Sequence, residues 1–326
     1  MFDITKINLQ LFAELNTNVT TDSGLSVENK THYDMTLIDE ASPELVHDQF
    51  GQKRPIPQGG GKTVNFRKFA SLPKQTTPLT EGVTPDGKKL SATKIESTVS
   101  QYGDYVTLSD VLDLTAIDPV VVEATKVIGR QAGLTLDTIT RNILHSGTNV
   151  YYAPKGDGTA VESRSGLDET CKLTVDVVRR VAAIMKKNNA PKIDGSYVAI
   201  IHPYAAYDLM SDKEWQYPHQ YQDTDNIYEG EIGKIAGVRF VETSEAKIYE
   251  GGVFGTLFIA DGAYGVTEIT GGGLQTIIKP LGSGEDPLNQ RSTVGWKATK
   301  TAEILVDAYL CRVEHKSSFS ADVEAN

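Results

Sequence analysis

The sequence is short of the residues that most chemistry needs. Two cysteines, Cys171 and Cys311, make neither a disulfide framework nor a metal-ligand spacing. A reducing compartment is the expected setting. Six histidines (His32, His47, His145, His202, His219 and His315) are scattered without paired spacing. No apolar run is long enough for a membrane helix. Asp3 and Glu14 stand where a signal peptide wants basic and apolar stretches. Positive charge is also scarce. The formal net charge is −11, and no dense Arg/Lys cluster offers a nucleic-acid footprint.

Motifs that look chemical fail on inspection. Gly61-Lys62-Thr63 imitates the end of a phosphate loop. The loop needs a glycine five positions before Gly61, where Ile56 stands between Pro55 and Pro57. It must also open a helix, whereas Val64-Asn65-Phe66 opens a strand. Asp223-Thr224-Asp225-Asn226 begins like a calcium loop but continues with Ile227 and Tyr228. His202 follows an apolar strand, where a base is conceivable and a satisfied element end is the commoner role. Cys171 precedes a helix start, a place that can activate a thiol, but no base pairs with it. The sequence therefore implies no catalytic, cofactor or metal site.

What is present is a normal core and one abnormal segment. Hydrophobic residues make up 39% and charged residues 23%, enough for a substantial core. Residues 59–105 are polar and turn-rich, with Pro73, Pro78, Gly82, Pro85 and Gly87, yet strand-like at both ends. Such a segment cannot offset its own ordering entropy. It holds seven Lys/Arg against four Asp/Glu, a local excess of +3 on a body at −14. An extended hairpin completed against a neighbouring chain is the reading that fits, with Gly59, Gly60 and Gly61 at its base and Gly103 at its return as hinges.

Around it the pattern is α+β. Residues 1–30 read as an arm whose Phe2, Ile4, Ile7, Leu9, Leu11 and Phe12 alternate with polar residues, with Leu9, Leu11 and Phe12 as docking candidates. Residues 33–50 read as a short helix interrupted by Pro43. A long helix is expected over 118–146, capped by Asp118 with Pro119 in its first turn and stopped at Gly147. Its apolar stripe is Val121, Ala124, Ile128, Ala132, Leu136, Ile139 and Ile143, on a rod of roughly 42 Å. Residues 149–172 read as loop. A second helix spans about 174–188, buried through Val175, Val178, Ala182 and Met185. Ser196–Ile201 reads as a central strand leading into a helix, 204–210. Further strands are expected at 237–241, 255–260 and 292–297, and an alternating one over 302–315.

Three segments carry a resemblance: Leu45–Pro57 running into Gly60-Gly61-Lys62-Thr63; Pro78–Pro85 followed by Tyr102-Gly103-Asp104-Tyr105-Val106 and Leu108-Ser109-Asp110; and Asp286–Lys297. Together they resemble the major capsid proteins of tailed bacteriophages, in the family named after the phage N-four capsid protein. The resemblance covers nearly the whole chain. It implies the Hong Kong 97-type capsid fold: an N-terminal arm at 1–44, the start of the P-domain at 45–58, an E-loop at 59–105, P-domain at 106–189 with the spine helix, an A-domain at 190–285, and closing P-domain strands at 286–326. It implies a non-catalytic protein of the virion capsid, assembled in the bacterial host cytoplasm into hexamers and pentamers of an icosahedral head. Its partners are then itself, portal and scaffolding proteins and packaged dsDNA, with no membrane and no cofactor. The inter-subunit candidates are Gly59, Gly60, Gly61, Phe66, Phe69, Thr80, Glu81, Gly82, Tyr102, Gly103 and Tyr105. A tail-tube subunit is the alternative virion role, and a soluble nucleotide-using enzyme acting through Lys62 the distant one.

Overall fold

The computed structural model describes residues 17–18, 46–69, 72–84, 86–116, 120–215, 233–282, 286–319 and 324–326. In chain order the strands and helices are β1 (Thr17–Asn18), β2 (Gln52–Lys53), β3 (Thr63–Phe69), β4 (Ala92–Thr98), β5 (Ser100–Ser109), α1 (Asp110–Thr115), α2 (Val120–Leu144), β6 (Val150–Tyr152), α3 (Val175–Lys187), β7 (Tyr197–Ile201), α4 (Pro203–Met210), β8 (Lys234–Ile235), β9 (Val238–Glu242), β10 (Ile248–Tyr249), β11 (Val253–Ile259), β12 (Tyr264–Thr267), β13 (Gln275–Lys279), β14 (Arg291–Ile304) and β15 (Leu310–His315). The chain divides into two compact units. The first holds residues 1–42, 101–133 and 272–298, and the second 43–100, 134–271 and 299–326.

The second unit is built on a seven-stranded sheet in the order β6-β15-β11-β7-β9-β8, with β10 on β11. β7 is buried at every residue because β11 pairs it antiparallel on one side and β9 parallel on the other. That arrangement matches its continuous apolar sequence. α3 packs Val175, Val178, Ala182 and Met185 into this core, as its 3.6-residue spacing requires. The Thr174 hydroxyl caps it, accepting from the Val177 amide at 3.4 Å. Lys186 and Lys187 sit in its last turn, where they favour the negative end of the helix dipole.

In the first unit, β14 lies between β5 and β13, and β1 adds in parallel to the outer edge of β5. α2 contributes its residues up to Gly133 here and those from Leu134 to the second unit.

Three expectations change. The segment 302–315 is two strands, not one. The chain turns at Asp307–Tyr309, where Leu305 and Val306 amides both donate to the Ala263 carbonyl and Asp307 accepts from Thr148. Residues 150–152, read as loop, pair in parallel with β15. In α2 the stripe holds for Ile128, Ala132 and Leu136, but Ile139 and Ile143 are only half-buried. Asp137, Thr140, Arg141, Leu144 and His145 take the inward face instead. Their spacing is helical, but most of them are polar. Asp118, Pro119 and residues 33–45 lie outside the described residues.

Candidate functional site

The segment 59–105 forms a hairpin and a strand. β3 and β4 pair antiparallel from Thr63↔Thr98 to Phe69↔Ala92. The Val99 amide then donates to the Lys62 carbonyl at 2.8 Å and the chain passes into β5. The strand-like C-terminal end of the segment is thus two strands, β4 and β5, divided at Val99.

Among the described residues, the base of the hairpin is the part fixed to its own unit. Phe66 is 4% exposed. Its ring fills the space above Gly265, where an added Cβ would lie 2.7 Å from a ring carbon. The Arg54 guanidinium stands 5.8 Å from the same ring centre. Ser97 and Thr301 hydroxyls share a hydrogen bond of 3.0 Å.

Beyond Phe66, among the described residues, the large apolar side chains are exposed. Phe69, Leu72, Leu79, Val83 and Leu90 are 51–73% exposed. Large apolar groups gathered on one projection mark a contact surface. The tip is shaped by one defined turn. The Val83 amide donates to the Thr80 carbonyl at 3.2 Å, with Glu81 and Gly82 between them. Gly82 has φ +77°, which a type II turn requires at that position. A similar turn opens the segment: the Gly60 amide donates to the Pro57 carbonyl at 2.9 Å, and Gly59 has φ +80°. Gly61 follows at φ +84°.

Tyr102, Gly103 and Tyr105 stand elsewhere, in β5 of the first unit. Gly103 lies within the strand. An added Cβ there would come 2.6 Å from the Trp296 carbonyl oxygen, so its bareness serves a close approach of β14. Gly295 answers it on β14, where a Cβ would fall 2.9 Å from the Asp104 carbonyl oxygen. The Gln131 side chain of α2 holds both strands, donating to Asp104 Oδ2 at 2.7 Å and accepting from Trp296 Nε1 at 3.3 Å. Residues 101–105 of β5, with Ile277, Lys279, Thr293 and residues 295–297, line an open trough of about 580 Å³. Leu9, Leu11 and Phe12 lie outside the described residues.

The chemical candidates are occupied by structural roles. His202 caps α4, its Nδ1 accepting from the Tyr204 amide at 3.1 Å, and burial lowers its pKa to about 4. Cys171 is buried and burial raises its pKa, the direction opposite to that of an activated thiol. Cys311 is pushed up to about 12 by the same cause. Lys62 is exposed and Asp223–Tyr228 lie outside the described residues. Among the described residues no cluster of metal-ligating side chains occurs, and no helix is long and apolar enough to cross a membrane.

Sequence reasoning missed a buried polar layer in the second unit. Lys300 Nζ pairs with Asp48 Oδ2 and donates to the Leu136 carbonyl at 2.9 Å. Thr140 donates to Asp48 Oδ1 at 2.6 Å. His47 meets Asp137 through its backbone amide at 2.8 Å and its Nδ1 at 2.6 Å. Tyr264 donates its hydroxyl to the His47 carbonyl at 2.5 Å, and burial raises its pKa. One signal was available: Lys300 shares strand parity with buried Trp296, Ala298 and Ala302.

The sequence profile of a family described as phage capsid protein matches residues 92–311. No curated protein matches. Among solved structures, the capsid of cyanophage P-SCSP1u is similar at 14% identity and TM-score 0.69, over 88% of this chain and 93% of that one. The capsid of Ralstonia phage GP4 is similar at 15% identity and TM-score 0.68, over 91% and 96%. The capsid of cyanophage Pam1 is similar at 14% identity and TM-score 0.64, over 80% and 86%. The fold is that of the Hong Kong 97-type capsid proteins.

Proposed function

The chain belongs to the phage capsid protein family, and from that premise we propose how it builds the icosahedral head as a major capsid protein. The hairpin at 59–105 is the E-loop by which each subunit grips the next. One observation carries this. The hairpin is anchored by Phe66 at its base and presents Phe69, Leu72, Leu79, Val83 and Leu90 to solvent. A projection that buries nothing of its own gains stability when a second chain covers it. Its charge favours that contact, since the hairpin is locally positive on a negative body.

Closed shells repeat one heterologous contact around rotation axes. Hexamers and pentamers ask for slightly different angles of the same contact. Gly59 and Gly61, both at positive φ, are where the chain bends between body and hairpin. Residues 1–44 act as the arm, 45–58, 106–189 and 286–326 as P-domain, and 190–285 as A-domain. The work is mechanical and no catalytic step is assigned. Portal and scaffolding proteins are the further partners, and packaged dsDNA meets the inner face without sequence readout. Assembly takes place in the bacterial host cytoplasm.

The test is electron microscopy of the purified chain. Polyhedral shells support the reading, whereas open tubes or rings would favour a tail-tube role.

A further inference from the structure

The buried polar layer of the second unit carries three nitrogens that its own hydrogen bonds leave over. Asp137, Arg141 and His145 follow one another at four-residue steps on one face of α2 and its C-terminal end, where the His145 amide donates to the Arg141 carbonyl at 2.9 Å. His47 joins them through Asp137. All four residues are at most 7% exposed. Yet His47 Nε2, Arg141 Nε and His145 Nε2 have no hydrogen-bond partner among the described residues. Buried polar groups are nearly always paired.

The far edge of each ring places its proton. His47 Nδ1 lies 2.6 Å from the Asp137 carboxylate, which only accepts, so the proton sits on Nδ1 and Nε2 is a lone pair. At His145 the Tyr249 hydroxyl lies 2.9 Å from Nδ1. That hydroxyl makes no other hydrogen bond among the described residues, so it donates to Nδ1 and the His145 proton sits on Nε2. Bare Gly255 on β11 gives this ring its place, since an added Cβ would fall 2.7 Å from a ring carbon. Arg141 Nε always carries a hydrogen, and the same guanidinium donates through its Nη1 to the Glu245 carbonyl at 2.8 Å.

Two donors and one acceptor therefore remain. The two imidazoles do not bond each other directly. They are nonetheless neighbours. Burial, and then the charges of His47, Arg312 and Arg141, hold the pKa of His145 well below its ordinary value. An anion would be repelled by the lone pair of His47, and a metal cation by the N–H groups of Arg141 and His145. Water suits all three, because it accepts twice and donates as well. A buried water typically makes about three such bonds.

We propose that His47, Arg141 and His145 hold one ordered water, which accepts from Arg141 Nε and His145 Nε2 and donates to His47 Nε2. The water ties the segment before β2 to α2, and the site stands whether or not the chain closes into shells.

A density map that resolves ordered water tests it. One peak is expected within about 3.2 Å of all three nitrogens. Direct contact between the rings, or no peak common to the three, overturns the proposal. Solid-state ¹⁵N NMR of histidine-labelled protein reads the protons, expected on Nδ1 of His47 and on Nε2 of His145. Either ring in the opposite form overturns the donor pattern. His47→Phe removes the acceptor. The peak should then be lost, and the His145 Nε2 proton should exchange with solvent about tenfold faster while the amides of α3 are unchanged. A retained peak or an unaltered exchange rate in this variant also overturns it.

Discussion

The ring of Phe66 on β3 occupies the volume that Gly265 on β12 leaves empty, with 2.7 Å between a ring carbon and the place of an added Cβ. This contact joins the hairpin to the sheet of its own unit. Gly265→Val is expected to push the ring out and to cost about 2 kcal/mol, the usual penalty of overpacking. Urea unfolding measures the loss. Limited proteolysis locates it, with new cleavage between 59 and 98 and none in α3.

Lys300 and Asp48 form a pair that is mostly shielded from water. Removing one member leaves a charge without its partner. Lys300→Met is expected to cost about 3 kcal/mol. Adding Asp48→Asn removes the stranded charge and keeps an acceptor for Thr140, so most of the loss returns. A double-mutant cycle by denaturant unfolding checks both statements. Additive losses contradict them.

Acid is expected to weaken the second unit through three histidines, His145, His202 and His315, and burial holds His145 well below its ordinary value. Burial holds His202 and His315 at about 4, against an ordinary 6.5. His315 Nε2 lies 2.9 Å from the Thr256 hydroxyl and its Nδ1 2.9 Å from the Lys316 carbonyl. Between pH 6.5 and 4 the unfolded chain takes protons that the folded chain refuses. Stability is therefore full above about 6.5 and falls with acid, by at most about 1.4 kcal/mol per pH unit for each ring. His202→Asn keeps a cap for α4 without titrating. Its unfolding free energy, followed from pH 7 to 4, should show a shallower acid slope than the parent chain.

Gly60 and Gly61 are predicted to matter for assembly more than for folding. Proline at 60 removes the amide that binds the Pro57 carbonyl, and proline at 61 cannot reach φ +84°. The double variant Gly60→Pro/Gly61→Pro is expected to stay folded despite a local cost of about 1–3 kcal/mol from the lost turn and the incompatible φ, and to lose shell formation. Sedimentation velocity separates the two effects. Normal shells from this variant would remove the hinge from the account.

Much of this was legible in the sequence, for reasons that differ by element. α3 and β7 show single clear periods, because each buries side chains against one continuous apolar core. The hairpin showed itself by what it lacks, since no set of its side chains could form a core. The inward face of α2 was obscured because Asp137, Thr140, Arg141 and His145 are buried with polar partners that are distant in sequence, such as His47 and Asp48. Hydrophobic spacing does not register such a face. Gly103 read as a bend because a glycine's reason is not written beside it. The reason here is the Trp296 carbonyl on a strand far along the chain. The two strands within 302–315 looked like one because Val306 and Ala308 keep the alternation through a turn held by Ala263 and Thr148.

The central claim is that the exposed apolar tip of the hairpin is covered by a second subunit. The direct measurement compares the parent chain with Leu79→Asp/Leu90→Asp by electron microscopy and sedimentation at equal concentration. Both residues are at least 70% exposed, so the folded subunit loses nothing by the change. The account predicts polyhedral shells from the parent, and folded but unassembled subunits from the variant. Shells of the same size and yield from both would contradict it.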